Sequence, residues 1–351
     1  MTSNNSTLSS KTGYRYDQCF FIDDSPADFT LDYSQTYITI IVINCLACLP
    51  TIFGNILIIL GIWSLPVLHT PSNILLVGLA SSDLGVGLLV PPLNIARILP
   101  KLQGSPLNSW CHVQVAYTFF GVMFCGVSFL TVAAFGIDKY LALHWHLRYT
   151  TIVTTKRVVY IVLSFWVIFG AMSAVQIWSM TVYRVSVCIV VPFFLVGTSF
   201  TYYRIYRVLL RHKVQIQSQS QVSTLHRDRC ERPNDASSTL NMARYRKSVT
   251  SMFLVYCLFL LCYIPYICVQ VTILIASIEF DTNGSKPASD LKSLYVAVDF
   301  TETIVIINSL LNPLIYCWRM REIRHAAKVA FSILRCNNDQ VHMDRSITFS
   351  Q

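Results

Sequence analysis

Long stretches without a charged side chain determine what this chain can fold into. Between Val113 and Ile137 no charged residue occurs, and six further apolar runs are spread along the 351 residues. About twenty apolar residues are enough for a helix to cross the hydrocarbon core of a bilayer. The pattern therefore predicts an all-α membrane protein, in which residues 36–318 form a bundle of seven transmembrane helices.

Composition narrows the class of protein further. Only 13% of the residues are charged, against about 25% in an average soluble domain, and 54% are hydrophobic. The net charge of +9 does not indicate nucleic-acid binding, because the basic residues cluster in loops beside the apolar runs. No HExxH, GxSxG or paired-aspartate motif is present, so we do not expect an enzyme. Repeated halves, which are typical of transporters, are not found either.

The distribution of basic residues predicts the orientation in the membrane. If the N-terminus lies outside, 20 of the 27 Lys and Arg residues fall on the inner side, as the positive-inside rule requires. Residues 1–35 then form an extracellular tail of a multi-pass plasma-membrane protein. Three N-x-Ser/Thr sequons, at Asn4, Asn5 and Asn283, all fall on the outer side, where glycosylation takes place.

The inner side is predicted to contain three further segments. Residues 211–247 are polar and form the third inner loop, which we expect to be flexible. Residues 319–336 are basic and amphipathic, which is typical of a helix that lies in the membrane interface against lipid. Cys336, at the end of this helix, is a candidate for palmitoylation, and residues 337–351 form a cytoplasmic tail.

Six short motifs occur in order, one in each of six spans: Gly54-Asn55, LAxxD at Leu79–Asp83, Asp138-Lys139-Tyr140, Trp166, FxxCYxP at Phe259–Pro265 and NPxxY at Asn312–Tyr316. Together they resemble the class A (rhodopsin-like) G-protein-coupled receptors. The inner loop at 147–157 is similar to that of the melanocortin and adenosine receptor branch. The resemblance implies a receptor that binds an extracellular peptide, nucleoside or other small molecule between its helices and activates a heterotrimeric G protein. A ligand-independent or non-signalling scaffold receptor remains an alternative.

By the same resemblance, five residues belong to the switch that meets the G protein: Asp138, Lys139, Tyr140, Tyr202 and Tyr316. The family usually has Arg where this chain has Lys139. An ammonium group is compact and strongly hydrated, whereas a guanidinium offers a planar fork of five donors. We therefore expect Lys139 to pair locally with Asp138 and to support weaker coupling than Arg would.

A lone carboxylate, Asp83, lies in the middle of the second apolar run. A charge at this depth costs about 2.5–3.5 kcal/mol on insertion scales unless it faces a polar cavity. The resemblance implies that Asp83, Ser128, Asn308 and Asn312 form a sodium site, and no other cofactor is expected. The alternative is a structural hydrogen-bond network, or a neutral Asp83.

A ligand pocket is predicted near the outer ends of the spans. Tyr263, Tyr266 and Gln270 share one helix face by their spacing, and Glu302 lies in the outer third of the last span. One acid in an amphipathic pocket suits a ligand with a cationic or hydrogen-bond donor group. Gly121 falls where amine receptors carry Asp, which disfavours a monoamine. The alternative is that Glu302 pairs with Arg97 and binds nothing.

Overall fold

The structure is a computed structural model that describes the backbone of residues 33–103, 107–145, 148–225, 233–283 and 288–348. Side chains are described for most of these residues, but not for 211–247, 279–292 or 336–348. The glycosylation predictions for Asn4, Asn5 and Asn283 and the palmitoylation prediction for Cys336 therefore lie outside the described residues or side chains.

Eight long helices account for most of the described backbone. They are α1 (Ser34–Ser64), α2 (Pro71–Leu102), α3 (Leu107–His144), α4 (Thr155–Trp178), α5 (Met180–Leu225), α6 (Pro233–Asn283), α7 (Ala288–Arg319) and α8 (Arg321–Thr348). Within the described ranges, α1 to α7 each contain a segment that is long and apolar enough to cross a membrane. The predicted seven-helix bundle is thus confirmed. We call the end of the bundle that carries Arg97 and Glu302 the outer end, and the end that carries Asp138 the inner end.

Local sequence explains where several helices begin and end. The Thr70 hydroxyl caps α2 by accepting the Asn73 backbone N–H, and Pro71 occupies the first helical position. Thr154 caps α4 in the same way. Between α4 and α5 only Ser179 leaves the helical conformation, with φ −154° and ψ 111°. The connection between α4 and α5 is therefore a single extended residue.

Two inner segments differ from the sequence prediction. The predicted loop 211–247 has helical backbone as far as Leu225 and again from Pro233, so only residues 226–232 separate the two helices. Gln, Arg and Lys are good helix formers, and Pro is tolerated at a first helical position, so polarity alone did not indicate a loop. Similarly, α8 continues past residue 336 to Thr348.

Close approaches between helices hold the bundle together. A Cβ atom added at Gly61 of α1 would lie 2.6 Å from the Ala326 backbone, so α8 packs directly on α1 at this glycine. A Cβ at Gly126 of α3 would lie 2.0 Å from the Phe169 ring of α4. The main hydrophobic core joins these contacts through buried side chains such as Leu76, Phe135 and Phe259.

Candidate functional site

A cavity of about 180 Å³ opens among α2 to α7 near the outer end. All five predicted pocket residues line it: Gly121, Tyr263, Tyr266, Gln270 and Glu302. A Cβ atom at Gly121 would have no neighbour within 4 Å, so the missing side chain leaves open space beside α3. The inner part of the wall is apolar, with Phe129, Phe169 and Val191 among its residues.

Aromatic stacking fixes the floor of the cavity. The ring of Tyr263 stacks on Phe259 at a centroid distance of 5.1 Å and packs against Phe129 at 5.8 Å. The Tyr263 hydroxyl donates a hydrogen bond to the Cys125 carbonyl at 3.2 Å. Two turns further along α6, Gln270 is buried, and its Oε1 has no hydrogen-bond partner among the described residues. Ring stacking and one hydrogen bond thus hold the floor, and one acceptor elsewhere in the wall is unsatisfied.

A buried ion cluster forms the opposite wall, with the guanidinium of Arg97 at its centre. Arg97 Nη2 lies 2.7 Å from Asp299 Oδ1, and the side chain is only 2% exposed. Its Nε donates to Asn94 Oδ1 at 2.9 Å, and its Nη1 donates to Gln114 Oε1 at 3.3 Å. The guanidinium also lies 4.1 Å from the centre of the Tyr117 ring. Arg97 is therefore anchored mainly by Asp299.

Glu302 occupies a looser position in the same cluster. Its Oε2 lies 3.5 Å from Arg97 Nη2 and accepts a 2.9 Å hydrogen bond from the Tyr117 hydroxyl. Its side chain is 23% exposed, against 8% for Asp299. Its described contacts are all made by Oε2, and the side chain lines the cavity. Glu302 thus both lines the pocket and lies beside Arg97, so features of both sequence-based interpretations are present.

Two of the three residues that are predicted to form a sodium site with Asp83 contact its carboxylate. Ser128 donates to Asp83 Oδ1 at 3.0 Å, and Asn312 Nδ2 donates to Asp83 Oδ2 at 2.8 Å. Asn308 is buried one turn before Asn312 on α7. The Oδ1 atoms of both asparagines have no partner among the described residues. A buried carboxylate close to unsatisfied amide oxygens is the donor set that a hard monovalent cation prefers, so these residues fit a sodium ion.

At the inner end, Asp138 and Lys139 form the expected pair. Lys139 Nζ lies 3.3 Å from Asp138 Oδ2 and donates to Ser72 Oγ at 2.8 Å. Ser72 Oγ in turn donates to Asp138 Oδ2 at 2.6 Å, and the Tyr149 hydroxyl donates to Asp138 Oδ1 at 2.6 Å. Ser72 and Tyr149 were not found by sequence reasoning. We call these four residues the inner clamp, since they join α2, α3 and the four-residue helix Tyr149–Ile152 that follows α3.

The other three predicted switch residues, Tyr140, Tyr202 and Tyr316, make none of the hydrogen bonds described for the inner clamp. Tyr140 stacks on His144 of the same helix at 5.6 Å between ring centroids. Tyr202 and Tyr316 are buried, and their hydroxyls have no hydrogen-bond partner among the described residues. Tyr202 stacks on Tyr256 at 5.0 Å. The two hydroxyls are therefore unsatisfied groups inside the inner half of the bundle.

The sequence alone gives no disulfide partner for Cys111, which lies near the start of α3. The structure shows Cys111 in a disulfide bond. The eight other cysteines whose side chains are described are all free. The partner of Cys111 is therefore none of these eight.

Comparison with known proteins decides the family. The family model for the 7 transmembrane receptor (rhodopsin family) matches residues 54–189 and 178–316. The chain belongs to this family. It is therefore a multi-pass membrane protein of the G-protein-coupled receptor class and not an enzyme, as the six motifs predicted.

Curated relatives match a shorter part of this receptor. The alpha-2B adrenergic receptor of Elephas maximus is 34% identical over 125 residues, which are 35% of this chain and 31% of that protein. The alpha-2B adrenergic receptor of Equus caballus is 35% identical over a segment of the same length. The chain thus spans about a third of the length of these relatives. The similarity to the melanocortin and adenosine branch stays a prediction.

Proposed function

We propose that this receptor binds an extracellular ligand in the outer cavity and activates a heterotrimeric G protein at the inner end. The observation that carries the proposal is the presence of two separate polar sites at opposite ends of one helical bundle. The outer site is a cavity lined by the predicted pocket residues, and the inner site is the clamp on Lys139. The proposal places the receptor in the plasma membrane with its N-terminus outside.

The size of the cavity favours a small molecule. Its volume of about 180 Å³ is below the ~300–1,000 Å³ of typical drug-sized pockets. A peptide ligand would place a single side chain in this space and rest its other residues above it. Amine receptors carry Asp at the position of Gly121, so α3 of this chain presents no acid to the cavity there. For this reason we do not assign the adrenergic ligand of the relatives to this chain.

Signalling would follow a population shift between two arrangements of the inner end. In the structure, Lys139 is held by Ser72 and Asp138 across α2 and α3. A ligand that favours release of this ammonium would make it available to a G protein. The two hydroxyls of Tyr202 and Tyr316, which have no described partner, would gain partners in the alternative arrangement.

We also propose that a sodium ion binds at Asp83. Ser128 and Asn312 already position the carboxylate, and the unsatisfied Oδ1 atoms of Asn308 and Asn312 supply further oxygen donors. The ion would supply a positive charge that the surrounding side chains lack. The alternative, a purely structural network around Asp83, predicts no response to sodium.

Guanine-nucleotide exchange on purified G proteins tests the proposed function without a known ligand. The receptor in lipid nanodiscs would be incubated with representatives of each Gα class, and Asp138→Asn would be compared with wild type. Loss of the Asp138 charge should loosen the clamp on Lys139 and raise basal exchange. If neither protein stimulates any Gα class above empty nanodiscs, the non-signalling scaffold becomes the correct interpretation.

A further inference from the structure

More cations than carboxylates of the protein border the outer cavity. Among the described lining residues, the carboxylates are Asp299 and Glu302, and the cations are Arg97, Lys101 and Arg184. The wall is thus not net negative. A ligand cation would bring a further positive charge into a poorly hydrated space, where repulsion between like charges is strong.

Arg97 occupies the place that a ligand cation would otherwise take. Its guanidinium already lies 3.5 Å from Glu302 Oε2 while Asp299 holds it at 2.7 Å. A second cation at Glu302 would sit beside this guanidinium. Displacing Arg97 is unfavourable as well, because a buried charge separated from its partner is strongly destabilising.

Two acceptor oxygens of the cavity wall have no hydrogen-bond donor among the described residues. Glu302 lines the cavity and makes its described contacts through Oε2 alone, and the buried Gln270, which also lines the cavity, has no described partner for its Oε1. Unsatisfied acceptors in such a site favour a ligand that brings hydroxyl or amide N–H groups. An anionic ligand would place a like charge against Glu302.

We infer that the ligand of this cavity is an uncharged molecule with an apolar body and at least one hydrogen-bond donor, which Glu302 accepts. The inference rests on the proposed function and narrows its ligand class. The apolar body would lie against Phe129, Phe169 and the Tyr263 ring, which form the inner part of the cavity. Glu302 therefore recognises a donor, while Asp299 serves as the counter-ion of Arg97.

Three probes of nearly the same shape test this inference: 2-phenylethanol, 2-phenylethylamine and 3-phenylpropionate. Binding to the receptor in nanodiscs would be measured by thermal stabilisation and by ligand-observed magnetic resonance, with empty nanodiscs to subtract partitioning into lipid. We expect the alcohol to bind most tightly, with the amine weaker by about tenfold or more, which corresponds to ~1.4 kcal/mol. An amine or a carboxylate that binds most tightly, or no binding by any probe, overturns the inference.

Two substitutions of the same residue sharpen the test. Glu302→Gln keeps an acceptor oxygen without the charge, so affinity for the alcohol should change by less than about threefold, whereas Glu302→Leu removes the acceptor and should reduce affinity by about tenfold. Equal effects of the two substitutions contradict the assigned acceptor role. The double variant Arg97→Gln/Asp299→Asn removes the internal cation together with its counter-ion, and should bind the amine more tightly than wild type does.

Binding of these probes is read without a G protein, so the ligand class and the receptor function fail separately. Alcohol binding with the expected selectivity, but without nucleotide exchange on any Gα class, supports the ligand class and overturns signalling. Exchange in a receptor that prefers the amine supports signalling and overturns the ligand class.

Discussion

Asp299 and Asp83 are both buried carboxylates within membrane-spanning helices, but different groups stabilise their charges. Asp299, near the outer end, has a guanidinium nitrogen of Arg97 at 2.7 Å. Asp83, at the centre, receives hydrogen bonds from the neutral groups of Ser128 and Asn312. No Lys or Arg among the described residues forms an ion pair with Asp83.

The difference shows two solutions to one physical problem. An isolated carboxylate in a medium of low dielectric constant is unfavourable unless it is paired or neutralised. At Asp299 the compensating cation is covalently part of the chain and cannot leave. At Asp83 the compensating cation would come from solution, so its presence depends on the salt around the receptor. Under the proposed sodium assignment, the first arrangement serves stability and the second serves regulation.

Loss of the internal pair should have the largest effect. Asp299→Asn leaves the buried Arg97 without its closest partner, and removal of one member of a buried pair typically costs about 3–5 kcal/mol. We expect a large fall in surface expression and in the melting temperature of the purified receptor. Arg97→Gln in the same chain should restore most of the stability. Failure of this rescue would show that Asp299 acts through another contact.

Removal of the central acid should have the opposite sign. Asp83→Asn deletes a charge whose insertion costs about 2.5–3.5 kcal/mol, so stability in sodium-free buffer should rise. The same substitution should abolish the sodium dependence of agonist affinity and of thermal stability. Melting curves in sodium chloride and choline chloride provide the measurement. A wild-type receptor that is insensitive to this exchange of salts would end the sodium assignment for Asp83, Ser128, Asn308 and Asn312.

The inner clamp has features of both sites. Asp138 is paired with an internal cation, as Asp299 is, and accepts hydrogen bonds from two neutral hydroxyls, as Asp83 does from neutral groups. Ser72→Ala removes the hydroxyl that links Asp138 to Lys139, and a hydrogen bond to a charged group is worth about 1.5–3 kcal/mol. Basal nucleotide exchange should rise. Tyr149→Phe is the matched control, since this hydroxyl contacts Asp138 at the other carboxylate oxygen, and it should raise exchange less. Equal effects would mean that the link to Lys139 is unimportant.

The smallest expected effect concerns the identity of the clamp cation. Lys139→Arg should increase maximal G-protein activation at equal surface level, by less than about tenfold, because a guanidinium is less strongly hydrated and offers more donors to the G-protein interface. Concentration–response curves of nucleotide exchange would measure the change. An Arg variant that is no better than wild type shows that the Lys is neutral here.

Much of the fold could be predicted because lipid imposes a simple rule on sequence. Seven apolar stretches predict seven helices, and the resemblance to the family motifs correctly brought Ser128 and Asn312 to Asp83. Helix ends at the inner side were predicted less well. Polar residues such as those of 211–225 are compatible with helix or loop, and hydrophobicity does not distinguish between the two.

The partners of the charged groups were harder to predict. Pairing across helices depends on rotation about each helix axis, which spacing within one helix does not determine. The sequence therefore offered Glu302 as a partner for Arg97, whereas Asp299, one turn earlier, lies closer. Ser72 and Tyr149 were missed for the same reason, since a single hydroxyl carries no signal until its neighbours are known.

The single extended residue between α4 and α5 has a mechanical consequence. One residue of fully extended chain spans at most about 3.6 Å, so Ser179 gives the outer ends of these helices very little slack. A displacement of the outer end of α5 must carry the end of α4 with it. Much of α4 is exposed to the surrounding lipid, with only 17% of its apolar segment buried. A displacement of the outer end of α5 therefore also moves α4 against the lipid that surrounds it.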